Sequence, residues 1–229
     1  GFRIESITFD PVIDSAEVDP SLWVHLVETI EKRYDEFDGF VILHGTDTMA
    51  YSASAVSFMI RNLTKPIIFT GAQLPIGVLR TDGKENLITS IEIAAAKQDG
   101  KAIVPEVCIY FENKLMRGNR TTKYSSEHFN AFASPNLQPL AVAGLQIRYN
   151  YNLIRYPKPD KEVIIRKKLD TNVGILKLFP GIRREFVESM LSTPNLRGLI
   201  LETYGSGNAP SYEWLKDALK QFVDNGGTV

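Results

Sequence analysis

The sequence predicts an α/β fold whose first domain is built on a parallel sheet, and two observations support this. Short, continuous apolar runs take turns with longer segments whose apolar residues recur every three or four positions. The apolar runs lack the polar–apolar alternation of a half-exposed strand, so we expect them to be buried on both faces. Strand–helix–strand units repeated in this way are typical of a parallel sheet with helices on both faces.

Six apolar runs are predicted as strands. The first, residues 2–9, is extended, and its apolar members are Phe2, Ile4, Ile7 and Phe9. The others cover residues 39–43, 66–70, 104–111, 173–179 and 198–203. Residues 226–229 have the character of a seventh strand at its opening.

Five segments are predicted as helices because their apolar residues are three or four positions apart. In the first, Leu22, Leu26, Ile30 and Tyr34 share one face. The third is rich in alanine. In chain order the predicted helices cover residues 22–34, 48–63, 86–97, 183–191 and 212–225.

The alternation of strands and helices is interrupted at residues 148–168. This stretch contains three tyrosines, Pro157, Pro159 and the basic run 166–168. Because proline resists both helices and central strands, we interpret it as an extended linker. The expected organisation is therefore an N-terminal domain over residues 1–147, a linker over 148–170 and the start of a second, smaller α/β domain over 171–229. The chain begins without Met and stops where a strand should open, so a fragment of a longer protein is expected.

The composition excludes several classes of protein. The 229 residues include 26 Lys and Arg against 27 Asp and Glu, so the net charge is −1. A near-neutral chain is a poor partner for nucleic acid or for an anionic membrane surface, since both call for a positive field. No apolar run approaches the roughly 18–20 residues of a membrane span. The single cysteine, Cys108, cannot form an internal disulfide, which favours a cytoplasmic location, and its place in an apolar run predicts a core residue.

The loops that follow parallel strands carry the candidate chemistry, because ligands of such sheets bind at the carboxyl ends of the strands. In the loop 44–49, Thr46, Asp47 and Thr48 precede a predicted helix. One interpretation is helix capping, for which these residue types are favoured. The other is that Asp47 binds an ammonium group while Thr46 carries a proton, which requires a neighbour that lowers the proton affinity of the hydroxyl.

Lys123 is the candidate neighbour for that hydroxyl. It ends the basic loop 117–123, and a lysine in such a loop is commonly solvated, whereas one enclosed in a cleft can shuttle protons. The loop could also bind phosphate, but no phosphate-binding fingerprint accompanies it. The three histidines, His25, His44 and His128, have no metal-ligand spacing, so we expect no metal site. His44 lies next to the candidate site, where either a direct role or a packing role is open.

Five segments resemble the bacterial-type L-asparaginases. Residues 39–49, Gly-Phe-Val-Ile-Leu-His-Gly-Thr-Asp-Thr-Met, are similar to the family's long and specific second signature. Further matches follow in the family's order at residues 70–73, 117–123, 132–136 and 204–210. The resemblance covers essentially the whole chain and is greater to the cytosolic, type I branch than to the secreted branch.

The resemblance implies an amidohydrolase that converts L-asparagine to L-aspartate and ammonia through a threonine acyl-enzyme, without metal or cofactor. In the family, one threonine attacks the side-chain amide, and a second threonine, a lysine and an aspartate relay protons. The second threonine matches Thr46, the lysine matches Lys123 and the aspartate matches Asp47. Asp47 also binds the substrate's α-ammonium group. The Ala72 carbonyl matches the group that faces the leaving amide. The substrate-binding residues implied are Asp14, Ser15, Ala16, Gly45, Thr46, Asp47 and Ala72.

Two departures from the family pattern matter. The attacking threonine belongs to a Thr-Gly-Gly-Thr motif near the family's N-terminus, and the printed chain begins beyond it, so we expect these residues alone to be inactive. Thr228 follows two glycines, but it precedes a strand rather than following one, and we reject it as the nucleophile. The second domain is also incomplete, and Asn208 in it matches a residue that the family places in a neighbouring subunit's site.

Three hypotheses follow. The first is an asparaginase that acts as a homodimer or homotetramer, with L-asparagine as its small-molecule substrate. The second is an amidase component that releases ammonia for an amidotransferase acting on charged tRNA. The third is a non-catalytic amino-acid-binding module, which would bind aspartate without turnover.

Overall fold

The computed structural model describes residues 3–75 and 77–229, and Phe2 of the first predicted strand lies outside them. The chain divides into two compact units, residues 1–168 and 169–229. The helices are α1 Pro20–Arg33, α2 Met49–Met59, α3 Gly83–Ala95, α4 Arg184–Leu191 and α5 Glu213–Asp224. Two short 3₁₀ helices occur at Ser15–Glu17 and Gly118–Arg120. Within the described residues, no helix combines the length and apolar character that a membrane crossing requires.

The strands of the first unit are short. They are β1 Phe40–Leu43, β2 Ile60–Arg61, β3 Ile67–Thr70, β4 Lys97–Gln98, β5 Lys101–Ala102, β6 Val107–Phe111, β7 Lys114–Arg117, β8 Thr122–Lys123, β9 Phe132–Ala133, β10 Ala141–Ala143, β11 Ile147–Tyr149 and β12 Ile164–Ile165. The second unit contains β13 Val173–Lys177 and β14 Gly198–Glu202, which pair in parallel.

The main sheet of the first unit has the order β1-β3-β6-β7-β10-β11. The pairs β1–β3 and β3–β6 are parallel, and every later pair is antiparallel. The predicted α/β class is confirmed, and its parallel part is the half of the sheet that carries the candidate loops. The loops after β1 and β3 leave the same edge of the sheet as neighbours, because parallel strands end together.

The core of the first unit lies between this sheet and its helices. Its cluster of buried side chains consists of Ile68, Ile93, Ala94, Val104, Cys108, Tyr110, Leu115, Leu140, Ala141 and Ile154. Cys108 is fully buried there, as predicted, and burial raises the pKa of its thiol well above the ordinary value. The second unit has its own core, formed by Leu176, Leu178, Ile182, Val187, Leu199, Leu215 and Phe222.

Two predicted elements differ from the structure by more than three residues at one end. Residues 3–9 form no strand, since none of the described strands pairs with them, and Ile4 and Ile7 are exposed. The helix predicted to reach residue 63 ends at Met59, since Ile60 and Arg61 leave it to pair with β12. The predicted linker 148–170 thus overlaps the end of β11 and all of β12, and the boundary along the chain between the two compact units falls after Lys168.

A buried ion pair stabilises the far side of the sheet. Arg117, at the end of β7, donates from Nε to Glu106 Oε2 at 2.5 Å and from Nη2 to Glu106 Oε1 at 2.9 Å. The same Nη2 donates to the Leu153 carbonyl at 2.6 Å, and Arg155 N donates to Glu106 Oε1 at 2.7 Å. The two side chains are only 6% and 10% exposed. Because a buried charge is tolerated only with full partners, this pair fixes where β7 ends and holds residues 153–155 against it.

Removing one charge of this pair tests its importance. Glu106→Ala leaves the Arg117 guanidinium buried without its counterion, and we expect a loss of about 3–5 kcal/mol in the free energy of unfolding. Urea denaturation followed by circular dichroism measures it. The matched control is Glu188→Ala, which breaks the exposed Arg184–Glu188 pair and should change little. Equal effects of the two substitutions would contradict the structural role given to Glu106.

Candidate active site

The loop between β1 and α2 does not use its hydroxyl and carboxylate side chains for helix capping. Thr48 occupies the N-cap position of α2 but makes no side-chain capping bond. Its Oγ1 instead donates to the Ser15 carbonyl at 2.6 Å. The capping interpretation is therefore wrong for Thr48, and the Asp47 carboxylate is directed towards a different partner.

That partner is Lys123. Its Nζ lies 2.8 Å from Thr46 Oγ1 and 2.8 Å from Asp47 Oδ1. The Lys123 side chain is 16% exposed, whereas that of Asp47 is 65% exposed. Lys123 is thus enclosed rather than solvated, and the structure brings the three residues together. A pocket of about 590 Å³ opens beside them, lined by Asp47, Ala50, Tyr51, Ser54 and residues 121–126.

Lys123 reaches the loop by a route that the sequence did not predict. The hairpin of β6 and β7 returns the chain to the opposite edge of the sheet, so Arg117 lies far from the candidate loops along β7. Residues 118–123 then run back beside α2. A Cβ on Gly118 would lie 3.1 Å from Ala53 Cβ and 3.0 Å from the Val107 carbonyl, so this path depends on the small size of glycine.

The segment around Ser15 packs directly onto the β1–α2 loop. Ser15 is buried, and a Cβ on Gly45 would lie 2.5 Å from Ser15 Oγ. The Asp14 carboxylate accepts a hydrogen bond from Ala16 N at 2.8 Å, which closes the short 3₁₀ turn. Asp14, Ser15, Ala16 and Gly45 are therefore next to the predicted relay. The Ser15 hydroxyl has no hydrogen-bond partner among residues 3–75 and 77–229.

A chain of hydrogen bonds links the β1–α2 loop to helices α2 and α1. His44 Nδ1 lies 2.7 Å from the Gly45 carbonyl, which can only accept, so Nδ1 carries the proton. Nε2 then accepts from Ser52 Oγ at 2.9 Å, and Ser52 Oγ accepts from Trp23 Nε1 at 2.9 Å. Burial lowers the pKa of His44, against a smaller opposing effect of the bond to Gly45. With both ring nitrogens occupied, His44 has the packing role rather than the direct role.

The loop after β3 lies beside the β1–α2 loop. His44 N donates to the Thr70 carbonyl at 2.9 Å, and a Cβ on Gly71 would lie 2.3 Å from the His44 carbonyl. Ala72, the predicted contact of the leaving amide, follows at once. Asp82 and Asn86 of the α3 end bind this loop through its backbone.

Asn208 and Thr228 belong to the second unit. The loop of Asn208 is a turn in which Gly207 has φ +86°, Tyr204 N donates to the Asn208 carbonyl, and Ser206 Oγ lies 3.2 Å from Asn208 Oδ1. Thr228 follows α5 and forms an isolated parallel bridge with Gly198. The nucleophile of the family follows a strand, so this placement agrees with the rejection of Thr228.

The sequence also matches family models along both units. The model described as Asparaginase, N-terminal, matches residues 3–155, and the Glutaminase/Asparaginase C-terminal domain matches residues 172–229. The chain belongs to the asparaginase family. This confirms the family resemblance on which the site residues were predicted.

Relatives within the family include proteins of different names. L-asparaginase 1 of Escherichia coli K12 is 44% identical over 221 residues, which cover 96% of this chain and 63% of the relative. A 60 kDa lysophospholipase of Mus musculus is 43% identical over 216 residues, or 94% of this chain and 37% of the relative. The crystal structure of L-asparaginase I from Vibrio cholerae is 41% identical, with a TM-score of 0.88 over 96% of this chain and 65% of that one. The chain therefore spans between about a third and two thirds of the length of these relatives.

Several residues that build the site had not been singled out in the sequence. Ser52 and Trp23 support His44, while Asp82 and Asn86 hold the Ala72 loop. Each acts across the fold on a backbone or side-chain atom, so neither spacing nor composition identifies it. The predicted helix began at residue 86, so Asp82 lay four residues before it and Asn86 at its first position, and neither place indicated a contact with the Ala72 loop.

Gly45→Ala tests the close contact of the two loops. The new Cβ cannot occupy its place without displacing Ser15, and we expect a loss of about 1–3 kcal/mol in the free energy of unfolding, measured by urea denaturation. The control is Gly144→Ala, where the nearest atom to the new Cβ is 3.9 Å away. A Gly45→Ala protein as stable as this control would show that the loops can separate without cost.

His44→Gln tests the neutral state of the histidine. The folded protein holds the His44 pKa below its value in the unfolded chain, so the unfolded chain takes up the proton first as the pH falls. The contribution of neutral His44 to the free energy of unfolding is therefore fully present above about pH 6.5 and declines as the pH falls towards the folded pKa. Denaturation midpoints at about pH 7.5 and about pH 5.5 should differ less for His44→Gln than for the unsubstituted protein. His128→Gln, at an exposed position, is the control and should keep the original pH dependence.

Proposed function

We propose that the complete protein hydrolyses L-asparagine to L-aspartate and ammonia through a threonine acyl-enzyme. The observation that carries the proposal is the position of Lys123 Nζ, 2.8 Å from both Thr46 Oγ1 and Asp47 Oδ1. The names of the relatives L-asparaginase 1 and L-asparaginase I support the choice of substrate.

Thr46 and Lys123 are the proposed proton relay. A proton passes between a hydroxyl and an amine through a direct hydrogen bond or one bridging water, and the Thr46–Lys123 distance is that of a direct bond. The partly enclosed side chain of Lys123 limits exchange with bulk water. The Asp47 carboxylate fixes Lys123 in place through Oδ1.

The reaction proposed has two halves. An attacking threonine hydroxyl bonds to the side-chain amide carbon, its proton passes to the relay, and the C–N bond breaks as the nitrogen takes up a proton and leaves as ammonia. Water then cleaves the threonine ester and releases aspartate. The attacking threonine is assigned, by the family resemblance, to a Thr-Gly-Gly-Thr motif, which does not occur in the printed sequence.

The charges around the relay suit a zwitterionic amino acid. Asp47 uses Oδ1 for Lys123, and among the described residues no group donates to Oδ2, so this oxygen is proposed to bind the α-ammonium. Ser15, together with the backbone of Asp14 and Ala16, is proposed to bind the α-carboxylate, as the family resemblance implies. The Ala72 carbonyl is proposed to accept a hydrogen bond from the leaving amide.

The assembly and location are further parts of the proposal. We propose a cytoplasmic homodimer or homotetramer, in which Asn208 contributes to a neighbouring subunit's site, as the family resemblance implies. A similar protein from Campylobacter jejuni, whose crystal structure is described as that of a probable cytoplasmic L-asparaginase, supports the location. The exposed turn that carries Asn208 is accessible to such a contact.

Thr46→Ala and Lys123→Met test the relay in the complete gene product. Each removes one atom of the proton path, and we expect a loss of about 10²–10⁴ in kcat for ammonia release from asparagine. A coupled ammonia assay measures the rate, and circular dichroism confirms the fold. Lys101→Met, at an exposed strand position, is the matched control and should be as active as the unsubstituted protein.

Other outcomes separate the alternatives. Near-normal activity of either relay variant would show that the assignment is wrong. Ammonia release that requires a charged tRNA and a partner protein would replace the proposal by the amidotransferase hypothesis. Calorimetric binding of aspartate by the unsubstituted protein, without any ammonia release, would support a non-catalytic binding module.

A further inference from the structure

The peptide group that contains the Ala72 carbonyl is held by a carboxylate from its opposite side. Gln73 N lies 3.0 Å from Asp82 Oδ1 and 3.2 Å from Asp82 Oδ2. Leu74 N adds a bond of 3.3 Å to Oδ1. Asp82 therefore gathers two successive backbone N–H groups of the loop that follows β3.

Asp82 makes this contact with the loop instead of capping its own helix. It stands at the N-cap position of α3 but makes no side-chain capping bond to the helix. Thr81 Oγ1 accepts the bond from Gly83 N instead, at 3.1 Å. An aspartate at an N-cap ordinarily satisfies the first turn of its own helix, so the orientation of Asp82 towards the loop needs a separate explanation.

The orientation of the Ala72 carbonyl follows from peptide geometry. Ala72 C=O and Gln73 N–H belong to one planar trans peptide group and point in opposite directions. With the N–H directed at Asp82, the carbonyl must point away from α3. The preceding carbonyl, that of Gly71, is held by Asn86 Nδ2 at 3.0 Å, and Asn86 Nδ2 also lies 3.3 Å from Asp82 Oδ2. The peptide groups on both sides of Ala72 are thus fixed.

The charge of Asp82 acts through the same peptide group. A carboxylate that accepts from a peptide N–H draws its hydrogen away and increases the negative charge on the carbonyl oxygen of that group. The Ala72 oxygen becomes a stronger acceptor as a result. Asn86 is 3% exposed and Asp82 is partly buried, so water screens this effect only weakly.

We propose that Asp82 is a positioning residue that orients and polarises the Ala72 carbonyl towards the leaving amide. This inference rests on the proposed asparagine hydrolysis. The leaving nitrogen gains a proton as the C–N bond breaks, so its N–H groups become stronger donors in the transition state than in the bound substrate. A strengthened acceptor at Ala72 consequently increases kcat more than it lowers KM.

A substrate without N–H groups on its leaving atom provides the test. The β-methyl ester of aspartate keeps the α-ammonium and α-carboxylate of asparagine, but its ester oxygen carries no hydrogen of its own to donate to the Ala72 carbonyl, and its one proton on leaving as methanol comes from the relay. We expect Asp82→Asn in the complete gene product to lower kcat for asparagine by about tenfold, which corresponds to weakening one hydrogen bond. The kcat for the ester should change by less than about twofold, because the acceptor is not used.

Glu85→Gln is the matched control. It removes the same charge from the first turn of the same helix, at an exposed position, and should leave the ratio of amide to ester hydrolysis unchanged. If Asp82→Asn does not fold, as judged by circular dichroism, Asp82→Ser keeps a small neutral acceptor and should show the same selective loss.

Each outcome decides the inference. Equal losses on the amide and the ester indicate a merely structural role and overturn it, as does an unchanged rate on both substrates. A loss in which KM rises and kcat stays constant also overturns it. If the unsubstituted protein releases no ammonia from asparagine, the proposed function fails and this inference with it, whereas active protein with an unchanged ratio contradicts the inference alone.

Discussion

The two hydrogen bonds of Lys123 join parts of the chain that are 76 and 77 residues apart, and the candidate site depends on them. Neither bond would form if the chain left β7 in another direction. Arg117 ends β7 inside a buried ion pair with Glu106, and Gly118 lets the chain turn closely against α2. An electrostatic anchor on one edge of the sheet thereby determines the position of an amine on the opposite edge.

The loops after β1 and β3 can pack closely against their neighbours because two glycines lack side chains. Gly45 lets Ser15 approach the β1–α2 loop, and Gly71 lets the next loop approach His44. Hydrogen bonds then hold these closely packed segments in place. Thr48 binds the Ser15 carbonyl, and Asp82 binds the backbone of the loop after β3. The site is thus built from backbone that is held in place by its neighbours, which is the condition for preorganised polar groups.

The parallel strands and all five helices were predictable, because buried strands leave continuous apolar runs and helices leave apolar residues every three or four positions. The hairpin of β6 and β7 was not predictable in this way, since the short strand β7 follows β6 after only two residues, Glu112 and Asn113, both of which adopt positive φ. Thr46, Asp47 and Lys123 were found from residue type and family resemblance. Asp82, Asn86, Ser52 and Trp23 were missed because their roles consist of single contacts across the fold, which one-dimensional spacing does not encode.

The anchor of Arg117 and Glu106 also carries information about the order of assembly. Its remaining partners are the carbonyl of Leu153 and the amide of Arg155, which the ribosome adds 30 and 32 residues after Lys123. A nascent chain that has only just exposed Lys123 already contains the parallel strands β1, β3 and β6. It still lacks the hydrogen-bond partners that residues 153–155 give to the buried Arg117 and Glu106 side chains. We therefore expect the contact of Lys123 with Thr46 to become stable only after residues 153–155 have been synthesised.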